Sequence, residues 1–163
     1  MILGLDASTK STGYGIFHSE TKRLIASGCI TADGSDMIGR IKKIVKDIDE
    51  RIFQKYQVNK LILEEVLPKN GYQKSVQTYK ALMYLQGQIV MLIHDKYPYI
   101  EIIFKYPSEW RKQVGVHSGA VKREVVKQRD ITYVKNVFGL DVNDDEADGI
   151  CLAYSEIKQK GAF

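Results

Sequence analysis

The sequence predicts an α/β domain: a mixed five-stranded sheet with helices on both faces. Three observations carry that reading. The N-terminal segment holds three short apolar runs separated by polar turns, a hairpin pattern. Residues 37–52 then switch to apolar side chains at helical spacing. Short apolar runs follow the long helical segments, which requires crossovers back to the sheet. At 163 residues, with 44% hydrophobic and 27% charged side chains, the chain fits a single domain, residues 1–163, able to bury a core unaided.

Residues 1–6 form the first strand, which ends at Asp6, and Ala7-Ser8-Thr9-Lys10-Ser11-Thr12 is a polar turn. Residues 13–17 form a second strand, antiparallel to the first, and 24–31 a third one short turn later. Met37, Ile38, Ile41, Ile44, Val45, Ile48 and Ile52 share one helical face, with Ser35 or Asp36 as N-cap. Residues 60–64 form a short strand; after a long helix it needs a parallel neighbour. Pro68, Asn70 and Gly71 mark a loop. A second helix, about 74–96, carries Leu82, Leu85, Ile89, Val90 and Ile93 on one face. Gly87 inside it costs roughly 1 kcal/mol relative to Ala, so a close packing contact is expected there.

Residues 100–104 form the fifth strand. Ser108 is the expected cap of a short helix through Val114. Residues 115–119 form a loop, and Ser118 is the expected cap of a helix that stops at Gly139. The last helix runs from about Asp145 to Lys160. Three hairpin-linked strands followed by two parallel crossovers exclude a helical bundle and a β-sandwich. They also disfavour a dinucleotide-binding domain, in which a helix follows the first strand directly.

No apolar run approaches the roughly 18 residues of a membrane span. The N-terminus lacks a basic region and meets a carboxylate at once, so no secretory signal is read and a cytoplasmic setting is expected. Cys29 and Cys151 are expected as buried thiols, and His18, His94 and His117 share no ligand spacing, so a zinc site is not expected. The net charge of +4 is unevenly spread. Residues 105–136 hold eight Lys and Arg against three acids, whereas residues 137–163 hold six acids against two Lys. A basic segment beside an acidic one suggests a polyanion held near a carboxylate site; a solvated charged helix face is the plainer alternative.

Four acids stand in unusual places. Asp6 and Glu64 each end an apolar strand, and ligands of open sheets bind outside the carboxyl ends of strands. If those strands are parallel neighbours, the two carboxylates emerge at one edge, roughly 5 Å apart. Asp145 and Asp148, three residues apart, share one helical face. Singly, each has an ordinary reading: a turn residue, a solvated strand end, an N-cap with first-turn support. Together they crowd like charges, which a divalent cation relieves. Oxygen ligands without Cys or His select Mg²⁺ or Mn²⁺, and two such ions suit phosphodiester hydrolysis. A basic segment beside such a site points to a nuclease.

The quoted segments resemble a known family. Gly4-Leu5-Asp6-Ala7-Ser8-Thr9-Lys10-Ser11-Thr12-Gly13-Tyr14-Gly15 resembles the first-strand motif of RuvC-type Holliday-junction resolvases. Leu63-Glu64-Glu65-Val66 is similar to their second acidic motif, and Asp145-Glu146-Ala147-Asp148-Gly149-Ile150-Cys151-Leu152-Ala153 to the closing acidic helix. Gly115-Val116-His117-Ser118-Gly119-Ala120-Val121-Lys122 resembles the turn that delivers a lysine toward the site. The resemblance spans essentially the whole chain. It implies a ribonuclease-H-like fold, a homodimer, Mg²⁺ dependence with Mn²⁺ as a substitute, two ions per site, and nicking of four-way and other branched DNA in recombination and repair. Metal-ligand and catalytic roles carry over to Asp6, Glu64, Asp145 and Asp148. A one-residue slip would exchange Glu64 for Glu65. Lys122 is expected at the scissile phosphate.

Contacts to DNA are expected from Leu67, Lys69, Tyr72, Lys74 and Lys80 after the second acid, with Tyr79 beside them. Arg111, Lys112, Lys122, Arg123 and Lys127, with Lys105, form the later basic cluster. Two departures stand out. The family commonly carries Pro-Gly after the first Asp, where this chain has Ala7-Ser8, and bacterial members carry an aromatic near the second acid, where this chain has Leu67. Together with the compact length these resemble a bacteriophage-encoded branch, with broader specificity expected. A non-catalytic DNA-binding module of the same fold is the alternative, and the glycine-rich first hairpin also resembles actin-like ATP-binding folds, which would need a second, duplicated domain.

Overall fold

The computed structural model describes residues 1–67, 73–116 and 121–159. In chain order the elements are β1 (Ile2–Asp6), β2 (Ser11–Phe17), β3 (Leu24–Thr31), α1 (Met37–Ile48), a π-helical turn (Asp49–Phe53), β4 (Lys60–Glu64), α2 (Gln73–Lys96), β5 (Glu101–Lys105), α3 (Pro107–Val114), α4 (Arg123–Phe138) and α5 (Asp144–Gln159). The sheet order is β3-β2-β1-β4-β5. The hairpin strands pair antiparallel, and β1, β4 and β5 run parallel. The mixed sheet expected from the sequence is borne out.

Alternation along the strands gives the sheet two apolar faces. Leu3, Leu5, Leu61 and Leu63 pack against Ile41, Ile44 and Ile48 of α1 and Leu85, Ile89 and Ile93 of α2. Ile2, Phe17 and Ile62 pack on the other face against Trp110, Val114, Val134, Ile150 and Leu152 of α3, α4 and α5. Helices therefore cover both faces, as expected.

Two glycines let α5 lie directly on the strands. A side chain at Gly13 would collide with the backbone carbonyl of Asp145, and a Cβ at Gly149 would stand 2.6 Å from the Cα of Tyr14. Because Gly13 pairs with Asp6 across the β1–β2 ladder, this contact sets the start of α5 beside the end of β1.

Several local expectations need correction. β2 starts at Ser11, inside the expected turn, because that segment continues the β3 ladder through Ser11 and Thr31. The fifth strand is shifted one residue onward, to Glu101–Lys105. Ser108 does not cap α3: Tyr106 holds the cap position and Pro107 opens the helix, where its missing N–H costs nothing. Ser118 lies outside the described residues, and α4 begins only at Arg123. Gly87 meets nothing within 4 Å at its Cβ position, so no contact within the described chain requires it. Of the two thiols, Cys151 is buried but Cys29 only half so. The Asp36 cap and the Gly139 stop are observed: the Asp36 carboxylate accepts from the Ile38 and Gly39 N–H groups, and Gly139 is left-handed at φ 72°.

Candidate active site

The site begins where two parallel strands end. Leu5 pairs with Leu63, which places Asp6 and Glu64 next to each other at the carboxyl edge. Burial, then the charges of Glu64 and Asp145, raise the Asp6 carboxyl to about 7, against the opposing pull of Lys127 and Arg111. Burial also raises Glu64. The Trp110 indole N–H donates to Glu64 Oε2 at 2.8 Å and favours its ionised form. Glu64 rather than Glu65 acts on Asp6; the Glu65 backbone N–H instead donates to the Lys105 carbonyl, continuing the β4–β5 ladder.

The start of α5 supplies the other two acids. Asn143 does the capping: its Oδ1 accepts from the Glu146 N–H at 2.9 Å. Asp145 is thus not used as a cap, which settles the alternative that the sequence left open. Asp148 is buried, and burial together with Asp6 and Asp130 pushes its carboxyl up to about 9. Arg111 opposes that rise. Its Nη2 lies 3.5 Å from both Asp148 oxygens, its Nε donates to Asp130 Oδ2 at 3.0 Å, and its guanidinium stacks 4.1 Å above the Trp110 ring. Lys127 of α4 pairs with Asp144.

These acids offer only oxygen donors, crowded enough that two of them hold protons far above the ordinary carboxylate range. That chemistry fits a hard divalent cation, whose charge would relieve the same repulsion. Among the described residues no three His, Cys, Asp or Glu side chains already converge as a ligand group. Glu64 and Asp148 are held by Trp110 and Arg111 in their present positions.

The remaining expected residues divide. Lys80, Lys112, Lys122 and Arg123 are exposed, and Leu67 is 51% exposed just past the second acid. Lys69 and Tyr72 lie outside the described residues, as do His117, Ser118, Gly119 and Ala120; Lys74 belongs to α2, but its side chain is outside the described set. Lys105 does not belong to a surface cluster. It is buried, 3.2 Å from Glu156 and 2.9 Å from Gln113. Arg111 is largely shielded and bound to Asp130 and Asp148 instead of standing open toward a polyanion, whereas Lys127 pairs with Asp144 and stays partly exposed. Trp110, Asp130 and Asn143 escaped the sequence reading. Trp110 is the sole tryptophan, and Asp130 is one of three acids in the basic segment, but neither stands at a strand end where a site signal would be sought.

Comparison with known proteins places this geometry. A family model described as crossover junction endodeoxyribonuclease RuvC matches residues 2–155. The chain is 29% identical over 160 residues to the crossover junction endodeoxyribonuclease RuvC of Ehrlichia canis, covering 95% of this chain and 97% of the relative. It is 30% identical over 157 residues to that of Rickettsia conorii, covering 95% of each. Among solved structures, RuvC of T. thermophilus in complex with a Holliday junction substrate superposes with a TM-score of 0.73 at 13% identity, over 99% of this chain and 95% of the other. That likeness establishes the ribonuclease-H-like fold.

Proposed function

Because the chain belongs to the RuvC family of crossover junction endodeoxyribonucleases, we propose that it is a divalent-metal-dependent endonuclease that nicks four-way DNA junctions in recombination and repair. The observation that carries the reading is the placement of Asp6 and Glu64 on adjacent parallel strands, with Asp145 and Asp148 brought over them by α5. Asp6, Glu64, Asp145 and Asp148 would hold two Mg²⁺ ions, or Mn²⁺ in their place. Bound there, the ions supply Lewis-acid activation of water and neutralise charge on the scissile phosphate.

The chain's own groups do the rest. Trp110 orients Glu64 through its N–H. Arg111 and Lys127 offset the negative charge around Asp6. Exposed Lys112, Lys122 and Arg123 lie near the site in sequence and would bind backbone phosphates, with Lys122 closest to the reaction. Labelled four-way junctions, forks and plain duplex, incubated with Mg²⁺ or with EDTA, test the proposal. Metal-dependent nicking of junctions is expected; binding without nicking would instead indicate a DNA-binding module.

Replacing Trp110 by Phe keeps a ring in the core but removes the donor to Glu64. A hydrogen bond to a charged group is worth about 1.5–3 kcal/mol, so single-turnover cleavage should fall roughly 10- to 100-fold while the protein still melts cooperatively. A wild-type rate would show that Glu64 needs no such partner.

A homodimer through α2 is supported by a groove of about 980 Å³ between α1 and α2, lined by Ile38, Val45, Met83, Tyr84 and Met91. Gly87 opens onto it with none of the described residues within 4 Å of its Cβ position. Gly87→Leu should therefore stabilise the separate chain, by up to about 1 kcal/mol of helix propensity, yet dissociate the dimer. Sedimentation and thermal melting read the two effects separately; an unchanged dimer would remove α2 from the interface.

Selection among branches is expected to be broad. Leu67 is exposed three residues after Glu64 and has no π face, whereas stacking of an aromatic on an unpaired base is worth about 1–3 kcal/mol. Leu67→Phe should raise the ratio of four-way to three-way cleavage. If that ratio stays fixed while Tyr72→Ala lowers it, the tyrosine is the stacking residue. Leu67 and the Ala7-Ser8 turn also support a phage-encoded origin, although the relatives named above are bacterial. Among the described residues no helix is long and apolar enough to cross a membrane, in keeping with a single nuclease domain proposed to act in the cytoplasm.

A further inference from the structure

Asp130 sits in the middle of α4, fully shielded from water; among the described residues no N–H group donates to its Oδ1, and its carboxyl lies within hydrogen-bond reach of the Asp148 carboxyl. A buried carboxylate costs several kcal/mol unless it is well paired. Arg111 is its ion-pair partner, through an Nε–Oδ2 bond of 3.0 Å. A pair that served the fold alone would be expected to close as a two-bond fork. Here the guanidinium is divided: Nε is given to Asp130, and Nη2 reaches only to 3.5 Å from Asp148. Stacking on Trp110 fixes the guanidinium plane from one side. Trp110 and Arg111 are consecutive on α3, so one short helix touches two of the four candidate ligands, and Asp130 anchors it from α4.

We propose that Asp130 is a positioning residue of the nuclease site, holding Arg111 back so that the guanidinium balances Asp148 without closing on it. The proposal rests on the metal-dependent reading above. If Asp130 lost its charge, Arg111 would move fully onto Asp148 and compete with the cation for its oxygens.

The test is a double-mutant cycle of Asp130→Asn and Arg111→Gln. Its readouts are Mn²⁺ affinity of the DNA-free protein by titration calorimetry, single-turnover junction cleavage, and melting temperature. Loss of a group that orients a metal ligand typically costs 10- to 100-fold in affinity or activity, and about that is expected for Asp130→Asn in both Mn²⁺ affinity and rate. With Arg111→Gln the competitor is gone, so adding Asp130→Asn should cause no further loss of Mn²⁺ affinity. Wild-type Mn²⁺ affinity in Asp130→Asn would overturn the proposal. So would an equal loss in the Arg111→Gln background, including when Asp130→Asn alone fails to fold, since the double variant leaves neither charge behind. Absence of cleavage by the wild type would count against the nuclease reading only, and the Mn²⁺ titration would still decide the role of Asp130.

Discussion

Asp6→Asn abolishes junction cleavage and leaves junction binding intact or tighter. The side chain keeps its size but loses its charge at the point where β1, β4 and α5 meet. Asp6 is the group on which the other acids act: Glu64 and Asp145 raise it, and it in turn raises Asp148. Its loss removes one candidate ligand and weakens the crowding that makes the others seek a cation. Residues that act as a unit fail together, so a drop of roughly 10³-fold or more in single-turnover rate is expected. Binding runs the other way, because one negative charge beside the DNA phosphates is gone. Gel shift in Ca²⁺ and cleavage in Mg²⁺, measured on the same preparation, separate the effects. An Asp6→Asn protein that cuts at near wild-type rate would rule out this site.

The sheet was legible because its signals are local. Apolar runs, turn residues and a switch from period two to period 3.6 mark β1 to β5 and the long helices without any knowledge of packing. Boundaries slipped where a neighbour decided them. Ser11 reads as turn by composition, but its ladder partner on β3 extends the strand. Ser108 reads as a cap, but Pro107 sets the helix start two residues earlier, with Tyr106 at the cap position. Gly87 is the instructive case. The sequence says that a mid-helix glycine needs a reason, and the described residues supply none.

The acids were legible for a different reason: carboxylates that end apolar strands, or stand three residues apart at the start of a helix, stand out in one dimension. Their charge partners do not. Arg111 and Lys127 read as members of a basic surface, and only the tertiary contacts show that Arg111 faces inward to Asp148 and Asp130 and that Lys127 pairs with Asp144. Lys105 reads the same way and is buried against Glu156 instead. Basic composition therefore reported the total positive charge of the segment correctly while overstating how much of it is open to DNA.

Without divalent metal, the protein should become more stable as the pH is lowered from about 8 to about 5.5. The direction follows from Asp6 and Asp148, whose carboxyls lie at about 7 and about 9 in the folded state against an ordinary 3.8. Between those values the folded state holds more protons than the unfolded one, so unfolding free energy falls as pH rises. Between pH 8 and pH 5.5 Asp6, at about 7 in the folded state, contributes about 1.5 units, or about 2 kcal/mol at about 1.4 kcal/mol per unit, and Asp148 adds about as much again. For a chain of this size that is on the order of 10 °C in melting temperature. Mg²⁺ should act in the opposite pH range. At pH 8 Asp6 is ionised and Mg²⁺ has the Asp148 proton to displace, so the melting temperature rises, whereas at pH 5.5 both carboxyls hold protons and Mg²⁺ adds little. Melting in EDTA and in Mg²⁺ across this range reads both slopes. Asp6→Asn serves as the control: with the central charge removed, the EDTA slope should flatten and the Mg²⁺ gain at pH 8 should shrink. A wild-type protein whose metal-free melting temperature is level from pH 5.5 to 8 would show that the four acids are not crowded in the folded state, and the metal site would lose its electrostatic basis.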